Sequence, residues 1–377
     1  MKIAFDLRRI RNPGIGRYMK CLAEAVIAEA PEHEYLLILA PGDEALIQTQ
    51  HARVEKISPE LKYYSVREQL ELPRILRRHK ADLLHSPHFL LPLIRPCRTV
   101  VTIHDVIYIS CKEDLPSPLG RLYYRAMMTA SVKLADRIIT VSEYSKKDIV
   151  RYLRADPEKV VVIHSGVDPA LESVTDTGRL ESVCSKYGIC ADFVLYTGIY
   201  KPRKNHEGLL RAFRKFLGSG ERAQLVIAGP MGDGEEKLRA LAAELGIADR
   251  VVFTGFVDEP DMPALYSAAR LYACPSLYEG FGFTVLEAMG CGTPVVCSPE
   301  TSLPEVAGEG ALYADPRNPS EFAQAMRRAF EDEPLRAGLR EKGFRNRKRF
   351  SWKNAARQTL TVYGGAAASV EAKPVCA

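Results

Sequence analysis

The sequence predicts two doubly wound α/β domains in tandem, each Rossmann-like, and three observations support this. Short apolar runs alternate with longer amphipathic stretches along most of the chain, the pattern of βαβ units and a parallel sheet. The alternation breaks once, after Gly166-Val-Asp-Pro169, in a polar stretch over 172–179, and then resumes. At 377 residues the chain is long enough for two such domains, each with its own core.

The elements follow in order. Residues 2–7 form an apolar run that enters the loop Arg11-Asn-Pro-Gly-Ile-Gly16 and then a helical pattern carried by Tyr18, Leu22, Ala25 and Val26. Further strand-like runs fall at 35–39, 83–85, 99–103, 137–141 and 160–164, with helical stretches at 66–79 and 121–135. In the second half, strands are expected at 193–197, 224–228, 251–254, 271–274 and 293–297. Helices are expected there at 207–216, 235–245, 262–268, 319–330 and 334–345. The predicted domains span 1–168 and 185–350, and the tail from Gly364 is expected to be loosely ordered.

Composition narrows the class. A hydrophobic content of 46% with 26% charged residues is that of a folded, water-soluble chain. No run approaches the roughly 18 to 20 apolar residues of a membrane span, and the N-terminus reads as a strand rather than a signal peptide. The nine scattered cysteines contain no Cys-x-x-Cys pair, which points to reduced thiols and a cytoplasmic setting. Residues 1–168 hold 26 Lys and Arg against 21 Asp and Glu, so the whole net charge of +5 lies in the first half. It concentrates at Arg8, Arg9, Arg11 and Arg17, at Arg74, Arg77, Arg78 and Lys80, and from Arg121 to Arg154. Such clusters either face phosphates or anionic lipid, or are simply a solvated face.

Sheets of this kind bind ligands beyond the carboxyl ends of their strands, so the strand-end loops carry the candidate chemistry. Glu279-Gly-Phe-Gly-Phe-Thr-Val-Leu-Glu287 passes from a carboxylate through Gly280, Phe281, Gly282 and Phe283 into an apolar helix bearing a second carboxylate. With Thr284 as N-cap, the free N–H groups of residues 283 to 286, Val285 among them, would make an anion site. A carboxylate on either side suits a ligand ordered hydroxyl–diphosphate–hydroxyl, the order found in a nucleotide sugar. Gly198-Ile-Tyr-Lys-Pro-Arg-Lys-Asn205 adds Arg203 and Lys204, two adjacent cations aimed by Pro202 that suit a diphosphate leaving group. Thr102-Ile-His-Asp105 places His104 at the end of a buried strand, where active residues gather. His85 and His88 follow the preceding strand and read as structural. Gly14 and Gly16 lie in a loop that lacks the third glycine of the dinucleotide fingerprint, since position 19 is Met. The loop is either a tight turn or a backbone approach to a phosphate or sugar. No Ser-His-Asp order, zinc spacing or Walker lysine is present, and Glu279 and Glu287 lie at opposite ends of a helix start rather than flanking one bond as glycosidase carboxylates do.

Together these residues resemble glycosyltransferase family 4, the GT-B-fold retaining glycosyltransferases, whose Glu-x7-Glu motif matches Glu279 to Glu287. The resemblance covers nearly the whole chain, through Gly14-Ile-Gly-Arg-Tyr18, Glu68-Gln-Leu-Glu-Leu-Pro73, Leu84-His-Ser-Pro87, Thr102-Ile-His-Asp105, Pro202-Arg-Lys-Asn205, Phe253-Thr-Gly-Phe256 and Gly290-Cys-Gly-Thr-Pro-Val295. It implies two domains facing a cleft, acceptor on the first and donor on the second, with a last helix at about 352–363 returning to the first. It further implies that Glu279 grips the donor sugar, that Phe281 to Val285 hold sugar and diphosphate, and that Glu287 holds the ribose. Lys204 would meet the diphosphate, with Arg203 standing in for an arginine that the family often places where this chain has Ile199. His104 would lie near the anomeric centre, and backbone near Phe256 would meet the base.

Among such enzymes the motifs look most similar to bacterial polysaccharide and O-antigen mannosyltransferases using GDP-mannose, with GDP-rhamnose users close by. The expected partners are a nucleotide-sugar donor, a glycan or lipid-linked oligosaccharide acceptor and peripheral contact with the inner membrane face, but no nucleic acid and no cofactor, with Lys204 and the helix end in place of a metal. A nucleotide-sugar epimerase and a non-catalytic nucleotide-sugar-binding subunit are the competing readings.

Overall fold

The computed structural model describes residues 1–12, 14–49, 51–115, 117–219 and 222–368. The chain divides into two units, Met1–Gly166 together with the chain from Phe350 on, and Val167–Arg349. Each is built on one wholly parallel sheet.

In the first unit the strands are β1 (Lys2–Asp6), β2 (Glu34–Ile38), β3 (Val54–Ile57), β4 (Leu83–Ser86), β5 (Arg98–Thr102), β6 (Arg137–Thr140) and β7 (Val160–Val162), in spatial order β3-β2-β1-β4-β5-β6-β7. Strand order reverses between β1 and β4, which makes the loops after those two strands the natural ligand position. β3 was not foreseen in the sequence: its Val-Glu-Lys-Ile is half charged because it is the edge strand and only partly buried. The helix Ile15–Glu29 buries Tyr18, Met19, Leu22, Ala23, Val26 and Ile27, the stripe expected from its periodicity.

The final helix, Trp352–Ala368, packs on Ile15–Glu29. Arg357 Nε donates to Glu29 Oε2 at 2.7 Å, and Tyr363 OH lies 2.6 Å from His85 Nδ1. That helix corrects the expectation for the tail: residues 364–368 continue it, and the rest of the expected loose segment lies outside the described residues.

In the second unit the strands are β8 (Phe193–Thr197), β9 (Gln224–Ala228), β10 (Val251–Gly255), β11 (Leu271–Cys274), β12 (Val295–Cys297) and β13 (Ala311–Tyr313), in order β10-β9-β8-β11-β12-β13. The reversal here falls between β8 and β11. β13, a three-residue edge strand, was also too short to read from sequence. The helices His206–Phe216 and Pro319–Glu331 close one core, where Phe216 meets Phe330 edge-on at 5.2 Å. Side chains like Phe213 and Phe216, fully buried, each contribute about 1.5 to 3 kcal/mol of transfer free energy. The polar stretch over 172–179 leads into the helix Thr177–Lys186, capped by Asp176, whose carboxylate accepts from Arg179 N at 3.2 Å.

Candidate functional site

The two loops at the second unit's switch point bring the predicted residues together. After β8, Pro202–Lys204 makes a single 3-10 turn, and Asn205 leaves it in a left-handed conformation (φ 57°). Asn205 pins that turn by donating Nδ2 to Pro316 O at 2.8 Å and to Pro275 O at 3.3 Å. Leu277 N then donates to Arg203 O at 2.7 Å, tying the loop to the one after β11. As a result Lys204 Nζ donates to Glu279 Oε1 at 2.5 Å, and Arg203 Nη1 lies 3.7 Å from Glu279 Oε2.

Glu279 is buried. Burial alone would raise its carboxyl, but Lys204 and then Arg203 outweigh that and hold it below the usual carboxylate range. Glu279 is therefore an ionised acceptor of hydrogen bonds and not a proton donor.

The helix after Glu279 runs Phe283–Gly290, and here the structure corrects the sequence. Thr284 is not the N-cap. Gly282 holds that place with φ 113°, a conformation that strains any residue with a side chain, and no side chain caps the helix. Val285 N turns back to Gly282 O at 3.2 Å, so the N–H groups without an intrahelical acceptor are those of Gly282, Phe283 and Thr284. The N–H groups open to an anion thus lie earlier than the 283–286 window expected. Thr284 is instead the second residue of the helix.

Glu287, one turn in, is buried and accepts from Tyr266 OH at 2.9 Å. That phenol also lies 2.8 Å from Thr197 Oγ1, which is 3.1 Å from Tyr272 OH. Thr301 Oγ1 accepts from Glu279 N at 3.0 Å, and Ser302 Oγ donates to the carbonyls of Glu279 and Phe281, both at 2.8 Å. Thr301 itself is left-handed (φ 58°), local strain of the kind that gathers at functional sites. Tyr266, Thr197, Thr301 and Ser302 act on the motif from outside it, and nothing in a single sequence marks them. Phe256, in the loop after β10, is 71% exposed.

In the first unit His104 follows β5 and is half-buried. Its Nε2 lies 3.1 Å from Pro87 O, which can only accept, so Nε2 carries the proton and Nδ1 the lone pair. Tyr18 meets the ring edge-on at 4.5 Å and is itself met by Trp352 at 5.8 Å. Gly14 precedes the first helix. Gly16 has a packing reason: a Cβ there would sit 1.9 Å from Ile10 O, and its N–H already donates to Asn12 O at 2.8 Å. Pro13 of the same loop lies outside the described residues. Arg8 is withdrawn from the predicted basic surface, because it is buried between Asp6 (2.6 Å) and Glu68 (2.7 Å).

Burial lowers His85 to about 3 and both His104 and His206 to about 4, and it holds His88 well below the usual histidine value. All four stay neutral in the folded protein, whereas the unfolded chain protonates them below about pH 6.5. Between that pH and about 4 the unfolded state binds more protons. Stability therefore falls on acidification, by up to about 1.4 kcal/mol per histidine per pH unit. The urea midpoint is expected to drop steeply from pH 7 to 5; a level midpoint would show that these rings are not buried neutral.

Among the described residues no cluster of three or more His, Cys, Asp or Glu side chains is placed to hold a metal, and no helix is long and apolar enough to cross a membrane. None of the eight described cysteines is in a disulfide with another.

Residues 13–171 match the family described as Glycosyltransferase Family 4, and residues 191–346 match Glycosyl transferases group 1. The O-antigen chain mannosyltransferase B of Escherichia coli is 32% identical over 96% of this chain and 99% of its own length. The chain belongs to glycosyltransferase family 4. A second Escherichia coli relative, the serotype-specific mannosyltransferase WbdA, is 32% identical over 69% of this chain, which spans only 32% of that larger protein. Among solved structures, Anabaena HepE in complex with UDP-glucose superposes with a TM-score of 0.77 over 97% of this chain and all of its own, at 20% identity, a likeness of fold. This family-4 protein is thus an enzyme, a GT-B glycosyltransferase with a nucleotide-sugar donor, and the epimerase and non-catalytic readings fall away.

Proposed function

We propose that this glycosyltransferase moves mannose from GDP-mannose, with retention of anomeric configuration, onto a lipid-linked oligosaccharide in the building of a cell-surface polysaccharide. The observation that carries the sugar and the acceptor is the end-to-end similarity to an O-antigen chain mannosyltransferase. The site geometry supports the chemistry. Lys204 and Arg203, both held at the Glu279 carboxylate, and the N–H groups at Gly282 to Thr284 are the donors this reading offers a departing diphosphate. Ionised Glu279 accepts from the sugar hydroxyls and Glu287 from the ribose. In a retaining transfer the acceptor hydroxyl attacks on the leaving-group side and passes its proton to a leaving-group oxygen, with Glu279 an acceptor of hydrogen bonds rather than an acid. His104, neutral with a lone pair on Nδ1, accepts from a sugar hydroxyl near the anomeric carbon. Phe256 offers an exposed ring beside the base.

The test is incubation with a panel of nucleotide sugars and a lipid-linked acceptor, read by mass spectrometry of the product. A gain of one or more hexose units from GDP-mannose alone is expected. Gain of a deoxyhexose from GDP-rhamnose, or of a hexose from a UDP-sugar, would refute the donor assignment.

Contact with an anionic membrane belongs to the same reading. The helix Pro118–Leu134 carries Leu119 (79% exposed) and Leu122 (66%) beside Arg121 and Arg125, an apolar ridge flanked by cations. Neutralising Arg121, Arg125, Lys146 and Lys147 should weaken sedimentation with phosphatidylglycerol vesicles, each removed charge near the surface counting for about 1 kcal/mol. Undiminished binding would remove the membrane from the account.

A further inference from the structure

Tyr64 of the first unit is held in a conformation it would not choose. Its φ is +63°, rare for a bulky residue. The device that holds it is buried. Ser65 caps the helix Val66–Arg78, accepting from Glu68 N at 3.2 Å, but Glu68 does not complete the capping box on Ser65. Its Oε2 reaches past to accept from Tyr64 N at 2.9 Å. The other oxygen of Glu68 accepts from Arg8 Nη2, the same nitrogen that donates to Asp6 at 2.6 Å, while Arg8 Nε donates to Asp6 at 2.7 Å. A buried ion triad is weak evidence for stability, and strain maintained by such a triad points to function.

What the triad presents is a ring 45% exposed. Tyr123, also 45% exposed, stands edge-on to it at 6.0 Å, and Phe89 backs it in a stacked arrangement at 6.4 Å. Arg9 Nη1 donates to Tyr64 OH at 2.7 Å and to His88 Nε2 at 3.2 Å. A guanidinium only donates, so the proton of neutral His88 sits on Nδ1, buried and without a partner among the described residues. His88 follows Pro87, whose carbonyl holds His104, so this surface is joined to the strand-end histidine through two adjacent residues. The charges around it, Asp6 and Glu68 against Arg8 and Arg9, balance.

We propose that Tyr64 and Tyr123, with Arg9 and His88, form a subsite for an uncharged sugar ring of the acceptor glycan. Exposed aromatic faces suit the C–H face of a pyranose, the polar groups suit its hydroxyls, and the charge balance disfavours phosphate. The proposal rests on the acceptor reading above and names where in the first unit the glycan's leading sugar lies.

The test is saturation-transfer NMR of the full chain with uncharged manno-, gluco- and galacto-oligosaccharides, alongside calorimetric titration with GDP. Tyr123→Ala, on an ordinary helix turn, and Tyr64→Ala should each weaken oligosaccharide binding by about tenfold. Tyr123→Phe should retain it, and GDP affinity should stay as in the wild type throughout. Oligosaccharide saturation that is absent in the wild type, or unchanged in both alanine variants, overturns the subsite. So does weakened binding to anionic vesicles with saturation intact, which would assign the rings to lipid. A wrong donor assignment would appear in the GDP titration alone and leave the oligosaccharide result standing.

Discussion

Replacing Lys204, proposed above to meet the departing diphosphate, with Ala is expected to lower kcat by roughly 10²- to 10³-fold while weakening binding of the nucleotide-sugar donor much less, the magnitude typical of losing one preorganised charge donor. The asymmetry follows from when the interaction matters. Charge on the diphosphate grows as the glycosidic bond breaks, so a cation placed there stabilises the transition state more than the bound donor. Lys204→Arg should recover little of the loss, because the site holds a point charge 2.5 Å from one oxygen of Glu279 and a planar fork does not fit that role. The substitution also exposes the motif's internal balance. Of its two cations Glu279 would keep only Arg203, at 3.7 Å, against its burial, and its carboxyl would move upward. Steady-state kinetics with calorimetric donor binding measure both effects, and a wild-type kcat in Lys204→Ala would remove Lys204 from the leaving-group role.

Arg8→Met is expected to destabilise the protein by about 3 to 5 kcal/mol, the range for breaking a buried ion pair. Asp6 and Glu68 would each remain buried without their common partner, their side chains almost wholly out of solvent. For a unit of this size that is a fall in melting temperature of roughly 10 °C. Exchanging all three together for apolar residues, Asp6→Leu, Arg8→Met and Glu68→Met, should restore much of the stability, because well-packed hydrophobic residues of similar volume often replace a buried triad at little cost. It should not restore the geometry of Tyr64, so oligosaccharide binding stays weak in the triple variant. An Arg8→Met protein that melts with the wild type would mean the triad carries no such strain.

The fold was legible because its strands are long apolar runs flanked by amphipathic helices, and parallel sheets buried on both faces write that pattern plainly. What escaped were β3 and β13, edge strands whose short or half-polar sequences resemble loops. At the site, Glu279, Lys204 and the two glycines stood out as chemistry on strand-end loops. The register of the helix start did not, because the cap is a glycine backbone conformation rather than a side-chain signature. Thr284 offered the usual capping residue, but it lies one residue inside the helix, whose cap is Gly282. Arg8 misled for a related reason: charge is visible in a sequence, but the carboxylate that buries it lies sixty residues away. Tyr266, Thr301 and Ser302 left no signal at all, since they serve the motif through one or two hydrogen bonds each from other elements.

The measurement that tests the central account most directly is the anomeric configuration of the new bond, followed by proton NMR as GDP-α-mannose is consumed. Retention as proposed, with the acceptor hydroxyl attacking on the face where Lys204 meets the leaving diphosphate, predicts an α-linked product from the first turnover. A β-linked product would contradict it, because inversion needs a general base on the opposite face of the sugar, and the site as described assigns none.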